Sequence, residues 1–228
     1  MWAFLTLLLM LAPGSARAGD DEEYRFDWLD PDKKIYVLQN RRYEKVSRVL
    51  LSAMTGMGIS NPYRNSWNVD VRGAYYITES VGIEGFFGLT SNTNNATFDA
   101  LRAATTNILP LVREVQSQYG GLLHWAPWYA KINVFNSVLY FDWYFTAGAG
   151  ITNSRFNHNS NPNLTASFVD ESLFTFFAGT GHQYHLSRDL IVRLDFMGGF
   201  YNAPNDVSEK HKAWFSNYNV NIGVGLRL

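Results

Sequence analysis

A histidine close to a hydroxyl and a carboxylate is the usual signature of acyl-transfer or hydrolytic chemistry, and this chain has five histidines to weigh. His158 lies two residues from Ser160, His211 lies two residues from Glu209, and Asp170, Glu171 and Ser172 form a further polar cluster. All of these fall in stretches read as loops, where a solvated histidine or acid beside polar neighbours is the ordinary case. His182 and His185 are three apart, a spacing that puts them on opposite faces of a strand, so they cannot form a two-histidine metal face there. With no cysteine in the chain, disulfide scaffolds, thiolate metal sites and thiol catalysis are excluded together. No catalytic, cofactor-binding or metal-binding residue is assigned, and no cofactor is expected.

A second set of reactive side chains sits within apolar surroundings. Arg48, Arg72, Arg193 and Arg227 are matched by Asp70, Glu84, Asp142 and Asp195, and each falls at an alternate position among large apolar residues. Charges confined to a narrow interior are costly unless paired, so these eight are expected to form an ion-paired network. His124 has the same parity and is expected to serve the interior carboxylates as a partner rather than as a general base.

The elements that position these residues follow from a period of two. In the C-terminal stretch Tyr218, Val220, Ile222, Val224, Leu226 and Leu228 fall on one face, while Asn219, Asn221, Gly223, Gly225 and Arg227 fall on the other. The same two faces recur at residues 67–77, 81–89, 139–147 and 190–200, and more weakly at 46–59, 118–125 and 173–185. These eight segments predict an all-β fold, an eight-stranded antiparallel barrel. Residues 78–80 and 187–189 read as tight turns and 126–136 as a longer turn containing Pro127. Residues 60–66, 91–117, 152–172 and 202–213 read as loops on the opposite rim. Phe98, Leu101, Thr105 and Ile108 in the longest loop have helical spacing, with Pro110 placed to end the helix.

A secreted soluble barrel would carry the same alternation with its faces exchanged. Three features favour the membrane. All six lysines (Lys33, Lys34, Lys45, Lys131, Lys210 and Lys212) fall outside the predicted strands, the polar-face charges balance four against four, and the C-terminus has a characteristic pattern. That pattern, Asn221, Gly223, Leu226 and Leu228, resembles the assembly signal of outer-membrane barrels, with Leu in place of the common terminal Phe. It implies the bacterial outer membrane as location and the barrel assembly machinery as a partner. Residues 2–11 form a short apolar run ahead of Ala16, Arg17 and Ala18, so residues 1–18 read as a signal peptide, too short for a membrane helix. Residues 19–45 read as a periplasmic segment with aromatic residues that need burial, and residues 46–228 as the barrel. A net charge of -1, from 19 basic and 20 acidic residues, gives no reason to expect a nucleic-acid partner.

The chain also resembles a family of small outer-membrane β-barrels of predatory and gliding bacteria of deltaproteobacterial type. The resemblance rests on Ile35, Tyr36, Val37, Leu38, Gln39, Asn40, Arg41, Arg42 and Tyr43, and on Asn61, Pro62 and Tyr63. It continues through Tyr75, Tyr76, Ile77, Thr78 and Glu79 and through Pro127, Trp128, Tyr129, Ala130 and Lys131. It implies a location in the outer membrane and relatives that assemble into rings enclosing lipid. Gly73, Gly85 and Gly121 have outward parity on neighbouring predicted strands, which makes them the candidate interface of a homo-oligomer packed among lipid. The leading expectation is thus a non-enzymatic structural barrel. A lipid-modifying enzyme of the outer membrane is the alternative, and a narrow passive pore the third reading.

Overall fold

The computed structural model describes residues 41–104, 112–134, 137–157, 168–204 and 212–228. Alternating side chains with few helix formers and many β-branched and aromatic residues build strands. There are eight among the described residues: β1 (Val49–Gly58), β2 (Arg64–Tyr76), β3 (Val81–Asn94), β4 (Arg113–Val134), β5 (Ser137–Asn157), β6 (Phe168–His185), β7 (Leu190–Pro204) and β8 (Lys212–Arg227). Each pairs antiparallel with the next, and β1 pairs with β8 to close the ring. Closure satisfies the backbone donors and acceptors of the wall within the wall itself.

The two faces are those the alternation predicts. On β8, Val220, Ile222, Val224 and Leu226 are exposed while Asn219, Asn221 and Arg227 are buried. On β2, Trp67, Val69 and Val71 are exposed while Asn68, Asp70 and Arg72 are buried. Leu123, the most exposed of the aliphatic side chains on β3 and β4, shows 63% of its surface. An apolar wall around a polar core is stable in hydrocarbon and not in water, so the chain is a membrane-spanning barrel of the outer-membrane type. No described helix is long and apolar enough to cross a membrane; the strands make the crossing.

The rim that holds the start of β1 and the end of β8 is, by the usual orientation of such barrels, the periplasmic one. Two of its turns use the same device. Thr78 Oγ1 accepts from the Val81 amide at 2.9 Å, and Ser187 Oγ accepts from the Leu190 amide at 3.0 Å, so a side-chain oxygen ties each chain reversal. On the opposite rim α1 (Ala96–Ala104) starts where the helical spacing places it. Asn95 caps it, its Oδ1 accepting from the Phe98 amide at 2.9 Å. Thr105, Ile108 and Pro110 lie outside the described residues.

Three expectations need correction. Residues 126–134 are not a turn but the end of β4, whose residues 128–134 pair with residues 137–143 of β5, Val134 lying opposite Ser137. The register shifts between Trp125 and Trp128, and this irregularity accommodates Pro127, whose missing N–H cannot serve a regular ladder. Lys131 and Lys212 therefore lie within strands, Lys131 on the extended hairpin and Lys212 at the first position of β8. Finally, the opposite-rim loops are shorter than expected, because β4 to β8 continue into polar residues such as Thr152, Asn153, Ser154 and Arg155. Once a strand leaves the hydrocarbon its outer residues no longer need to be apolar, and the alternation fades while the pairing persists.

Candidate functional site

Seven of the eight predicted interior charges enter the lumen: Asp70, Arg72, Glu84, Asp142, Arg193, Asp195 and Arg227 are all buried. Adjacent strands set their heights. Arg72 pairs across β2 and β3 beside Glu84's neighbour Phe86, and Arg193 and Asp195 face in from β7. The central tier is built on Glu84. Its Oε1 lies 3.2 Å from Arg72 Nη1 and its Oε2 lies 2.9 Å from Arg193 Nη1. Arg72 also reaches Asp195 at 2.6 Å and Asp70 at 3.2 Å, and Arg193 donates to the Tyr144 hydroxyl at 3.1 Å. His124 Nδ1 lies 3.5 Å from Glu84 Oε2, so this histidine does face the interior carboxylate as expected. Asn221 donates to Asp70 at 3.0 Å, which carries the network across the β1–β8 seam.

The eighth expected charge, Arg48, is a correction: it is exposed and outside the network. Ser47 has φ of 58° and the Arg48 amide closes a turn onto the Lys45 carbonyl at 3.0 Å, so Arg48 ends a turn instead of standing in the alternating strand. Lys45 enters instead. Its side chain is buried and its Nζ lies 3.0 Å from Asp142 Oδ2. Among the described residues the buried charges are thus four cations, Lys45, Arg72, Arg193 and Arg227, against four carboxylates. The sequence signal for Lys45 was weak, because a residue in an irregular stretch has no period to follow.

Lys45 belongs to a second, periplasmic tier. Asp142 Oδ2 lies 2.8 Å from His185 Nε2, and Arg227 Nη2 lies 2.7 Å from His185 Nδ1. An arginine can only donate, so His185 Nδ1 is the acceptor and Nε2 carries the proton shared with Asp142; this histidine is neutral. Tyr43 stacks on His185 with ring centres 5.1 Å apart, and Glu79 Oε1 accepts from the Lys45 and Val46 amides at 3.0 and 3.1 Å. The stretch before β1 is in this way held across the periplasmic mouth. Tyr43, Tyr76, Glu79 and Tyr129, all from the stretches that carry the family resemblance, converge here: Tyr129 lies 5.7 Å from Tyr140 and Tyr140 lies 5.7 Å from Tyr43.

The candidate chemistry outside the lumen divides. His182 and His185 point to opposite sides of the wall as their spacing requires; His182 packs outward near Trp143, with ring centres 5.5 Å apart. Asp170, Glu171 and Ser172 are not a loop cluster but part of β6. Each has its own partner, Arg155 for Asp170, Arg113 for Glu171 and Asn153 for Ser172. His158, Ser160, Glu209 and His211 lie outside the described residues, as do Lys33, Lys34, Lys210, residues 1–18 and residues 19–40. No group of three or more metal-binding side chains occurs among the described residues.

On the outer wall Gly73 pairs with Gly85 and Gly85 with Gly121, so the three glycines form one row across β2, β3 and β4. The row floors a groove of about 670 Å³ flanked by Tyr75, Ile83 and Leu123. A Cβ added at Gly121 would meet nothing within 4 Å, at Gly85 the nearest atom would be 4.0 Å away, and at Gly73 3.5 Å. The barrel's own packing therefore does not require glycine at these places. The C-terminal residues Asn221 and Gly223 lie on the inward side of β8, and Leu226 and Leu228 on the outward side.

No protein-family model matches the sequence, and no curated protein matches it. Among solved structures, the chain is similar to the N-terminal β-barrel domain of Pseudomonas aeruginosa OprF, with a TM-score of 0.46 at 12% identity over 80% of this chain and 98% of that one. It is similar to the same degree to Ail, the attachment invasion locus protein of Yersinia pestis, at 10% identity over 80% of this chain and 99% of that one. Neisserial surface protein A gives a TM-score of 0.41 at 10% identity, over 79% of this chain and 95% of that one.

Proposed function

We propose that the chain is a non-enzymatic structural protein of the outer membrane, and that its barrels pack side by side into a homo-oligomeric ring that encloses lipid. The observation that carries this reading is the contrast between a lumen holding four buried cations and four buried carboxylates and an outer wall hollowed by a glycine row. A narrow eight-stranded interior packed with side chains offers solutes no wide path, so function falls to the wall and the rims. Within a bilayer, apolar attraction alone does not drive association; close packing does, and small residues permit it. Gly73, Gly85 and Gly121 leave space that the barrel itself does not use, and a large side chain of a neighbouring barrel would fill it. The family resemblance points the same way. Residues 19–45 would add a periplasmic contact, and Asn221, Gly223, Leu226 and Leu228 would present the C-terminal strand to the assembly machinery.

Native mass spectrometry of protein extracted in mild detergent tests the ring. The expected result is a single oligomer that retains lipid, and loss of that oligomer in Gly85→Leu or Gly121→Leu, both of which have room to fold. Strictly monomeric particles across several mild detergents, or oligomers indifferent to both substitutions, would contradict it. Turnover of labelled lipid A or phospholipid that His158→Ala abolishes would instead establish the enzymatic alternative.

A further inference from the structure

Above the charged tiers the lumen changes character. Asn219 donates to Gln118 at 3.3 Å, and beyond this pair the barrel opens into a cavity of about 300 Å³ at the extracellular end. One side of the cavity is aromatic. Tyr201 and Phe215 stack with centres 6.1 Å apart, and the Arg113 guanidinium lies 4.8 Å from the Phe156 ring centre and 5.4 Å from that of Phe215. Among the described residues Arg113 is the one charged residue lining the cavity, and it is already engaged: by the Glu171 carboxylate, by Ser154 Oγ at 3.2 Å and by the Pro204 carbonyl at 2.8 Å.

The rest of the described lining includes an uncharged polar set, Ser60, Asn61, Ser66, Ser216, Asn217 and Asn219. Several of these groups have unspent capacity. Asn217 Oδ1 accepts from Ser60 at 2.8 Å, which leaves its amide N–H groups without an acceptor among the described residues. Asn219 uses its amide nitrogen on Gln118, leaving Oδ1 as an acceptor although the residue is only 6% exposed. The Tyr201 hydroxyl makes no hydrogen bond to a described residue, and that side chain is 4% exposed.

We infer that this cavity is a binding site for a single uncharged sugar ring presented from outside the cell. The chemistry selects that class. An anion would need an uncommitted cation, and the described lining offers only Arg113, which is neutralised by Glu171. A hydrocarbon would bury Asn217, Asn219 and the Tyr201 hydroxyl without partners, which is costly for each group. A pyranose meets both kinds of surface, its C–H face lying on Phe215 or Tyr201 and its hydroxyls exchanging hydrogen bonds with the two amides. Ligand sites commonly combine such aromatic surface with a few placed polar groups.

The test uses the full chain folded in dodecylphosphocholine, which contains no sugar, and saturation-transfer NMR with the methyl glycosides of glucose, galactose, mannose and N-acetylglucosamine. Sodium sulfate and hexanol serve as competitors of the excluded classes. At least one glycoside should bind saturably with Kd on the order of 1 mM. Phe215→Leu and Asn217→Ala should each weaken it by about tenfold, a loss of one hydrogen-bonded or stacked contact. Both variants should keep the heat-dependent gel shift of a folded barrel. Absence of saturable binding for all four glycosides, displacement by sulfate or by hexanol, or binding unchanged in both folded variants would overturn the assignment.

Discussion

Glu84 accepts from both central guanidiniums at once, so its carboxylate is the interior group the barrel should miss most. Removing one member of a buried ion network strands its partners, at a cost of about 3–5 kcal/mol. Glu84→Ala should lower stability by that amount in urea unfolding of the folded barrel, whereas Arg48→Ala, on an exposed residue, should change it by less than about 0.5 kcal/mol. Equal effects would mean that the exposed and buried sets are exchanged. Val224 tests the other face: it is 55% exposed on the outer wall, and arginine near the bilayer midplane costs roughly 2–4 kcal/mol. Val224→Arg should therefore reduce membrane insertion in a yield assay while Asn219→Ser leaves it close to wild type, and equal yields would show the faces to be reversed. At this scale parity was enough to find Asp70, Arg72, Glu84, Asp142, Arg193, Asp195 and Arg227. It failed where the backbone left the extended region, at Ser47, and so chose Arg48 over Lys45.

The strands, their order and the tight turns at Thr78 and Ser187 were legible because apolar alternation is imposed by the bilayer on one face only. Where that constraint ends the signal ends with it. The β4–β5 hairpin was read as a turn because Pro127 interrupts it, and the bulge that absorbs Pro127 depends on pairing with β5, which a single stretch of sequence does not reveal. The stretch before β1 shows the same dependence. Part of its hold on the periplasmic mouth comes from Glu79, in the turn after β2, which accepts from the consecutive Lys45 and Val46 amides. Glu79→Ala should speed hydrogen exchange at the Lys45 and Val46 amides by at least about tenfold, since exchange protection reports local opening. Amides in the middle of β2 should keep wild-type rates. Unchanged exchange at both positions would mean that this carboxylate does not hold the segment in place.

For the molecule as a whole, closure follows from an even set of strands, each paired to the next, and the four-against-four charge balance survives the exchange of Arg48 for Lys45. The extracellular cavity was not legible, because its lining mixes polar and aromatic residues of several strands and loops that share no period and meet only when the barrel closes. The glycine row was legible as parity alone; that it forms a groove with unused space depends on the register Gly73–Gly85–Gly121. A filled lumen and the proposed ring enclosing lipid would have one shared consequence: neither the barrel nor the centre of such an assembly would offer an aqueous path. Planar-bilayer recording of the purified, unmodified protein measures this directly. The membrane should stay near its baseline conductance, without long-lived steps, at protein levels where insertion is verified independently. Large, stable open channels would require a water-filled lumen or ring centre, and would contradict the account.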